Sequence, residues 1–260
     1  MKQESIMLLS QLENLPNFEA VQSSLENKYN NEINQLLGAF FQHIHRGYIY
    51  WDNHEDTILH SKIKINNEVL FENTNHVIDF IPKDIRESMK TECKHVQKVE
   101  INFDNRTFML YICTSASYNN TKINNIIRFS TIWLYFANYF TAESCSKTVN
   151  IYIFFTNKTK NIPNKSTDTW DKIHVNTAFT TTCQRHTNVF IFREEEWFRA
   201  LIHESFHNLG FDLLAMKPVN IKTEESRIKE IFPINIDRLY YNETYNEMWA
   251  EILNILFYVY

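Results

Sequence analysis

The chain has 260 residues, 44% of them hydrophobic, which suffices for one large domain or two small ones with filled cores and argues against disorder. Its formal net charge of -5 offers no basic face to neutralise phosphates, so charge-driven nucleic-acid binding is disfavoured. The N-terminal stretch holds only one short apolar run, Ile6 to Leu9, well below the length of a secretory signal core, so an intracellular location without a membrane span is expected.

From Glu4 to about His45 apolar residues recur every three or four positions, among them Phe18, Val21, Leu25, Ile33, Leu36, Phe40 and Ile44. This spacing predicts helix, with Gly47 as its end and a less regular stretch to about Asn75. Pro82-Lys83-Asp84 opens a second, short helix with proline near its first turn. Residues 1–95 are therefore expected to form a mainly helical accessory region.

Near residue 95 the pattern changes. Val96 to Phe103 and Thr107 to Thr114 alternate β-branched and aromatic residues around Asp104-Asn105-Arg106, and predict a hairpin. A helix follows at about 121–141, whose apolar part from Ile126 to Phe140 is broken by Arg128 and Asn138. It is too short for a bilayer, which takes about 20 residues, and predicts a buried helix. A strand at Val149 to Phe155, a polar loop, an extended segment at Val175 to Thr181 and a strand at Asn188 to Phe192 come next, and helices close the chain. The order predicts an α+β fold. The four cysteines, Cys93, Cys113, Cys145 and Cys183, form no CxxC pair, so neither a disulfide framework nor a cysteine zinc knuckle is expected, and a reducing compartment follows.

The chemistry concentrates in His203-Glu204-Ser205-Phe206-His207. On a helix His203 and His207 project from one face and can share a metal, with Glu204 beside them to hold a water. Zinc takes imidazole nitrogens, keeps a position open and acidifies water there, while a glutamate accepts the proton and passes it to the leaving amine. Glu194-Glu195-Glu196 are expected in the first turn, where acidic groups suit the helix dipole, and Gly210 as a left-handed C-cap. Trp197, Leu201 and Phe206 supply the buried face.

The third ligand sets the class. The stretch HESFHNLGFDL follows the metzincin pattern through Gly210, but Leu213 stands where a ligand belongs and Asp212 comes one place early, which removes that reading. Downstream, Glu243, Glu247 and Glu251 make one acidic stripe at i, i+4 and i+8; a solvated helix face has the same appearance. Asn246-Glu247-x-x-x-Glu251 resembles the Asn-Glu-x-x-x-Asp signature of the thermolysin-like gluzincins. That resemblance implies Glu247 as third zinc ligand and Glu251 as the acid that orients a ligating histidine. Glu in place of Asp at 251 leaves a swap open, with Glu251 as ligand and Glu247 or Glu243 as its support.

The segments VNTAFTT, REEEWFRALIHESFHNLGFD and ETYNEMWAEI also resemble metallopeptidase-like proteins of large nucleocytoplasmic DNA viruses, and that resemblance implies a host-cytoplasm or virion location. In zincins an edge strand above the active helix pairs with extended substrate, which here points to Asn176, Thr177 and Ala178. Tyr240, Tyr241, Tyr245, His174 and His186 are the candidates for stabilising an oxyanion.

The expectation is thus a zincin-like domain over residues 96–260 in which a small mixed sheet lies over the active helix. It would bind one Zn2+ per chain and hydrolyse a peptide or protein substrate with Glu204 as general base. Two rivals stand beside it: a zincin-fold binding or scaffold protein with weak or no catalysis, and a zinc hydrolase of a non-peptide substrate.

Overall fold

The computed structural model describes residues 18–65, 81–115, 119–160, 176–213, 226, 229–230 and 241–260. Among them five helices and one six-stranded mixed sheet are defined: α1 (Phe18–His60), β1 (Ile63–Ile65), α2 (Lys83–Glu92), β2 (His95–Phe103), β3 (Arg106–Thr114), α3 (Asn120–Phe140), β4 (Thr148–Phe154), β5 (Ala178–Thr180), β6 (His186–Ile191), α4 (Trp197–Leu209) and α5 (Tyr241–Val259). The strand order is β1-β2-β3-β4-β6-β5. The β3, β4 and β6 strands run parallel at the centre, and both ends are closed by antiparallel pairs. No helix among the described residues is long and apolar enough to cross a membrane.

Alternation along the strands gives the sheet two apolar faces. Val99, Leu110, Ile151 and Val189 point into the main core with α1, α3, α4 and α5. Cys113, Tyr152, Phe154 and Phe190 point the other way, against Ile85 and Met89 of α2. Across that second face Tyr111, Tyr152, Phe190 and Phe179 stack in sequence from β3 to β5, with ring centroids 4.7 to 4.8 Å apart.

The hairpin, α2, the buried α3 and the strands at β4, β5 and β6 lie within a few residues of their predicted places. The expected helix end at Gly47 is overturned, because α1 runs through it to His60. A Cβ at position 47 would lie 3.0 Å from both Cγ2 and the carbonyl oxygen of Ile132 on α3, so this glycine serves close helix packing rather than termination. The boundary expected near residue 95 falls where β2 begins; Ile44, Trp51 and Ile58 of α1 share the main core with the sheet, and β1 pairs with β2.

The cysteine expectation is also overturned. Cys145 and Cys183, 38 residues apart, form a disulfide between the loop after α3 and the β5–β6 turn, whereas Cys93 and Cys113 are buried and not disulfide-bonded. Chain separation hides such a pair from any short-range pattern; folding brings the loops together.

Candidate metal centre

Helix α4 begins at Trp197 with Glu196 as its N-cap, so the acidic triplet precedes the first turn instead of filling it. The Glu196 carboxylate meets Arg199 Nη2 at 2.7 Å and Lys160 Nζ at 2.5 Å; these cations outweigh burial and hold its pKa below the usual carboxylate range. At the other end Gly210 takes the left-handed conformation, φ 77°, and donates to the Phe206 carbonyl, as its position predicts. The helix is pinned by Leu201 and Ile202 in the main core and by the Trp133 indole of α3, whose Nε1 donates to Ser205 Oγ at 3.0 Å.

This places His203 and His207 side by side, with ring centroids 5.2 Å apart, facing α5. The carboxylate that joins them is Glu243. Its Oε2 lies 3.5 Å from Nε2 of each histidine, and one donor atom from each of the three residues falls within 4.8 Å of the other two. The gluzincin resemblance implies Glu247 for that place. The structure instead puts Glu247 one helical turn further along α5, with Oε1 3.6 Å from Nδ1 of His203 and Oε2 2.5 Å from Nη1 of Arg199. Glu251, another turn on, lies 3.4 Å from Arg199 Nε and away from the histidines.

Each imidazole therefore presents Nε2 to Glu243 and turns Nδ1 to a different carboxylate. For His207 that carboxylate is Asp212, at 3.1 Å. In the linear pattern Asp212 is only a ligand out of place. The signal for its actual position lies in Gly210, since a left-handed cap turns the chain back on the last helical turn; Phe211 and Asp212 both donate to the Phe206 carbonyl there. Buried Asn246 adds its amide Nδ2, 3.2 Å from Nε2 and 3.3 Å from Nδ1 of His207.

Two imidazoles and a carboxylate are a donor set used by catalytic zinc sites. Ligands at about 2.1 Å in a tetrahedral array stand about 3.4 Å from one another, and the two 3.5 Å separations to Glu243 fit that spacing. Electrostatics add to the picture. Glu204 is buried, and burial pushes its carboxyl up to about 7 despite the neighbouring histidines. His203 is also raised: burial lowers it, but Glu247, Glu204 and Glu243 outweigh burial. Glu247 is lowered, first through His203 and then through Arg199.

The three side chains line a cleft of about 540 Å3 whose opposite wall is β5, beginning at Ala178, and the two residues before it, Asn176 and Thr177. Among the described residues β5 is an edge strand paired only with β6, and its residues Ala178, Phe179 and Thr180 line the cleft. Arg193, buried, donates from Nε to the Asn176 carbonyl and holds that segment in place. Lys160 and Arg199, which belong to no motif in the sequence, line the same cleft. Of the oxyanion candidates, His174, Tyr240 and the Tyr241 side chain lie outside the described residues, as does the rest of the extended segment before Asn176. Tyr245 packs against Phe206 and Trp249, His186 begins β6, and neither lines the cleft.

Compared with protein-family models, with curated proteins and with solved structures, the chain matches none.

Proposed function

We propose that the chain is a zinc-dependent hydrolase of the gluzincin kind that cleaves peptide bonds, with His203, His207 and Glu243 as the metal ligands. The observation that carries this reading is the pairing at both imidazoles: Nε2 of each faces Glu243 Oε2 at 3.5 Å, while the Nδ1 atoms face Glu247 and Asp212. A carboxylate hydrogen-bonded behind a ligating histidine fixes its tautomer and ring orientation and makes it more basic, as Asp212 does for His207 at 3.1 Å; Glu247 faces His203 at an ion-pair distance of 3.6 Å. In this register the acidic signature is Asn242-Glu243-x-x-x-Glu247, one turn before Asn246-Glu247-x-x-x-Glu251. Both copies carry Glu where the gluzincins carry Asp, which is why spacing alone does not choose between them.

A zinc ion bound there supplies Lewis acidity, acidifying water and polarising a carbonyl oxygen. The chain's own groups do the rest. Glu204, buried beside the two histidines, takes a proton from water and returns it to the leaving amine. The open side of β5 pairs with an extended substrate backbone and lays a carbonyl across the cleft. Arg199 bridges Glu196 on one helix to Glu247 and Glu251 on the other, and so holds α5 against α4.

Elemental analysis of the purified protein beside His207→Ala, Glu243→Ala and Glu247→Ala tests the metal. About one zinc per chain, lost in the first two variants and only weakened in the third, supports the reading; no zinc in the wild type after reconstitution overturns it. Peptide-library cleavage by the zinc-loaded protein, abolished in Glu204→Gln, then separates a peptidase from a zinc hydrolase of other bonds.

A further inference from the structure

The disulfide stands next to the cleft. Cys183 sits in the turn that follows β5, beside Thr182, which lines the cleft. Cys145 is buried and its neighbour Ser146 is the only non-glycine residue with positive φ among the described residues, at 49°. A serine in that region is strained and persists only where its surroundings over-determine it.

Those surroundings lead to α4. Arg106, buried, donates from Nε to the Ser146 carbonyl at 2.7 Å. Ser146 Oγ donates to the Asn208 carbonyl at 2.6 Å, one residue beyond His207. The Asn208 side chain then spans the gap to the cleft wall, with Nδ2 3.2 Å from both Thr180 Oγ1 and the Thr181 carbonyl. A covalent bond, a strained serine and a buried amide thus form one path from the disulfide to the strand that walls the cleft.

The strand at the end of this path is tied to β6 by Thr181 N and Thr180 Oγ1, which both donate to the Asn188 carbonyl, and the disulfide is the covalent tether of the turn beyond them. β5 is three residues long and, among the described residues, carries a ladder on one side only. Short edge elements with few buried contacts open at low free-energy cost, so a tether there has disproportionate effect. The backbone bonds Ser146 N to the Gln184 carbonyl and Thr148 N to the Arg185 carbonyl would outlast reduction, keeping β6 in place while the β5 side of the turn is freed.

We infer that the Cys145–Cys183 disulfide is a redox-responsive latch on the β5 wall of the cleft. Oxidised, it holds the wall at its working distance from α4; reduced, it lets β5 and its turn open. Cys183 is the more exposed partner and the point of attack. A thiolate of a dithiol reductant bonds to Cys183 Sγ, the sulfur–sulfur bond breaks, and Cys145 leaves as a thiolate that takes up a proton. The second thiol of the reductant then attacks its own sulfur in the mixed disulfide, and Cys183 is released as a thiol. Two electrons pass to the protein pair and the reductant departs as its own disulfide. The latch bears on substrate only through the reading of the cleft as a hydrolase site, but its opening can be measured without any substrate.

The test is hydrogen exchange on the full chain, oxidised and after reduction with a water-soluble phosphine, with the Cys145→Ser/Cys183→Ser double variant alongside. Thiol titration under denaturing conditions first counts two thiols per chain in the oxidised protein and four after reduction; four from the start would remove the latch. Exchange at amides 178–184 is expected to rise at least tenfold in both reduced and variant protein, with β2 and β3 unchanged. Unchanged exchange at 178–184, or a uniform rise across all strands, overturns the latch. Zinc content measured on the same samples is separate: a latch that opens in a protein holding no zinc leaves this inference standing and removes the hydrolase reading, and zinc in a protein whose wall does not respond does the reverse.

Discussion

Nδ1 of His207 lies 3.1 Å from Oδ2 of Asp212, although the two residues flank the end of a helix. The left-handed Gly210 turns the chain back so that a buried carboxylate reaches behind the imidazole, leaving Nε2 for the cleft. Asp212→Ala is expected to lower zinc affinity about 10- to 100-fold without unfolding the protein, since loss of a carboxylate behind a ligating histidine has that effect. Competition with a fluorescent chelator measures it; an affinity equal to wild type would remove Asp212 from the site.

The three glutamates of α5 should separate cleanly. Glu243→Ala is expected to abolish stoichiometric zinc, Glu247→Ala to weaken it, and Glu251→Ala to leave it intact, because Glu251 meets only Arg199 at this site. Thermal unfolding gives an independent readout. Ligand at about 100 times its dissociation constant stabilises by about 2.7 kcal/mol, so a chelator should lower the Tm of the wild type and the Glu251 variant but not that of Glu243→Ala.

Glu204→Gln keeps the shape and loses the base. Zinc content should stay near wild type while turnover of any cleaved peptide falls by about 100- to 10,000-fold, the range for a positioned general base. A variant that retains activity would move the proton-transfer role elsewhere.

The metal-free protein should lose stability as pH rises from about 5 to about 8. Burial raises Glu204 to about 7 from an ordinary value of 4.5, so its contribution is complete below the unfolded value and is lost as pH passes through about 7. His203, raised by its carboxylate neighbours, acts in the same direction at the upper end of the window. The Glu204 effect is on the order of 3 kcal/mol. Urea unfolding of chelator-treated protein at pH 5 and pH 8 should show the drop, and Glu204→Gln should flatten it; a wild type that gains stability over this range would contradict the assigned burial.

Arg199 adds ion pairs to the apolar contact between the two site helices, with Glu196 at 2.7 Å, Glu247 at 2.5 Å and Glu251 at 3.4 Å. Arg199→Ala should cost about 1 kcal/mol of stability, because the carboxylates it leaves are a third to a half exposed and are resolvated. It should also weaken zinc binding through Glu247, whereas Arg199→Lys should restore part of the stability; unchanged zinc affinity would confine the arginine to a packing role.

Features that are local in the chain are legible in the sequence by itself. The period-two runs of β2 and β3, the helical period of α3, the proline that opens α2 and the glycine that caps α4 each act within a few residues, so their signatures survive in a linear reading. The i, i+4 spacing of His203 and His207 is of the same kind, because helix geometry alone puts both on one face. Other features depend on how distant segments meet. Two turns of α5 repeat one acidic pattern, and only the depth at which that helix docks on α4 sets Glu243, rather than Glu247, opposite the histidines. The positions of Asp212 and Arg199, the glycine that admits Ile132 and the bond between Cys145 and Cys183 are decided likewise by contacts that loops and helices make on folding. Periodicity encodes which face an element presents, and tertiary packing decides which residues of two faces end up within bonding distance.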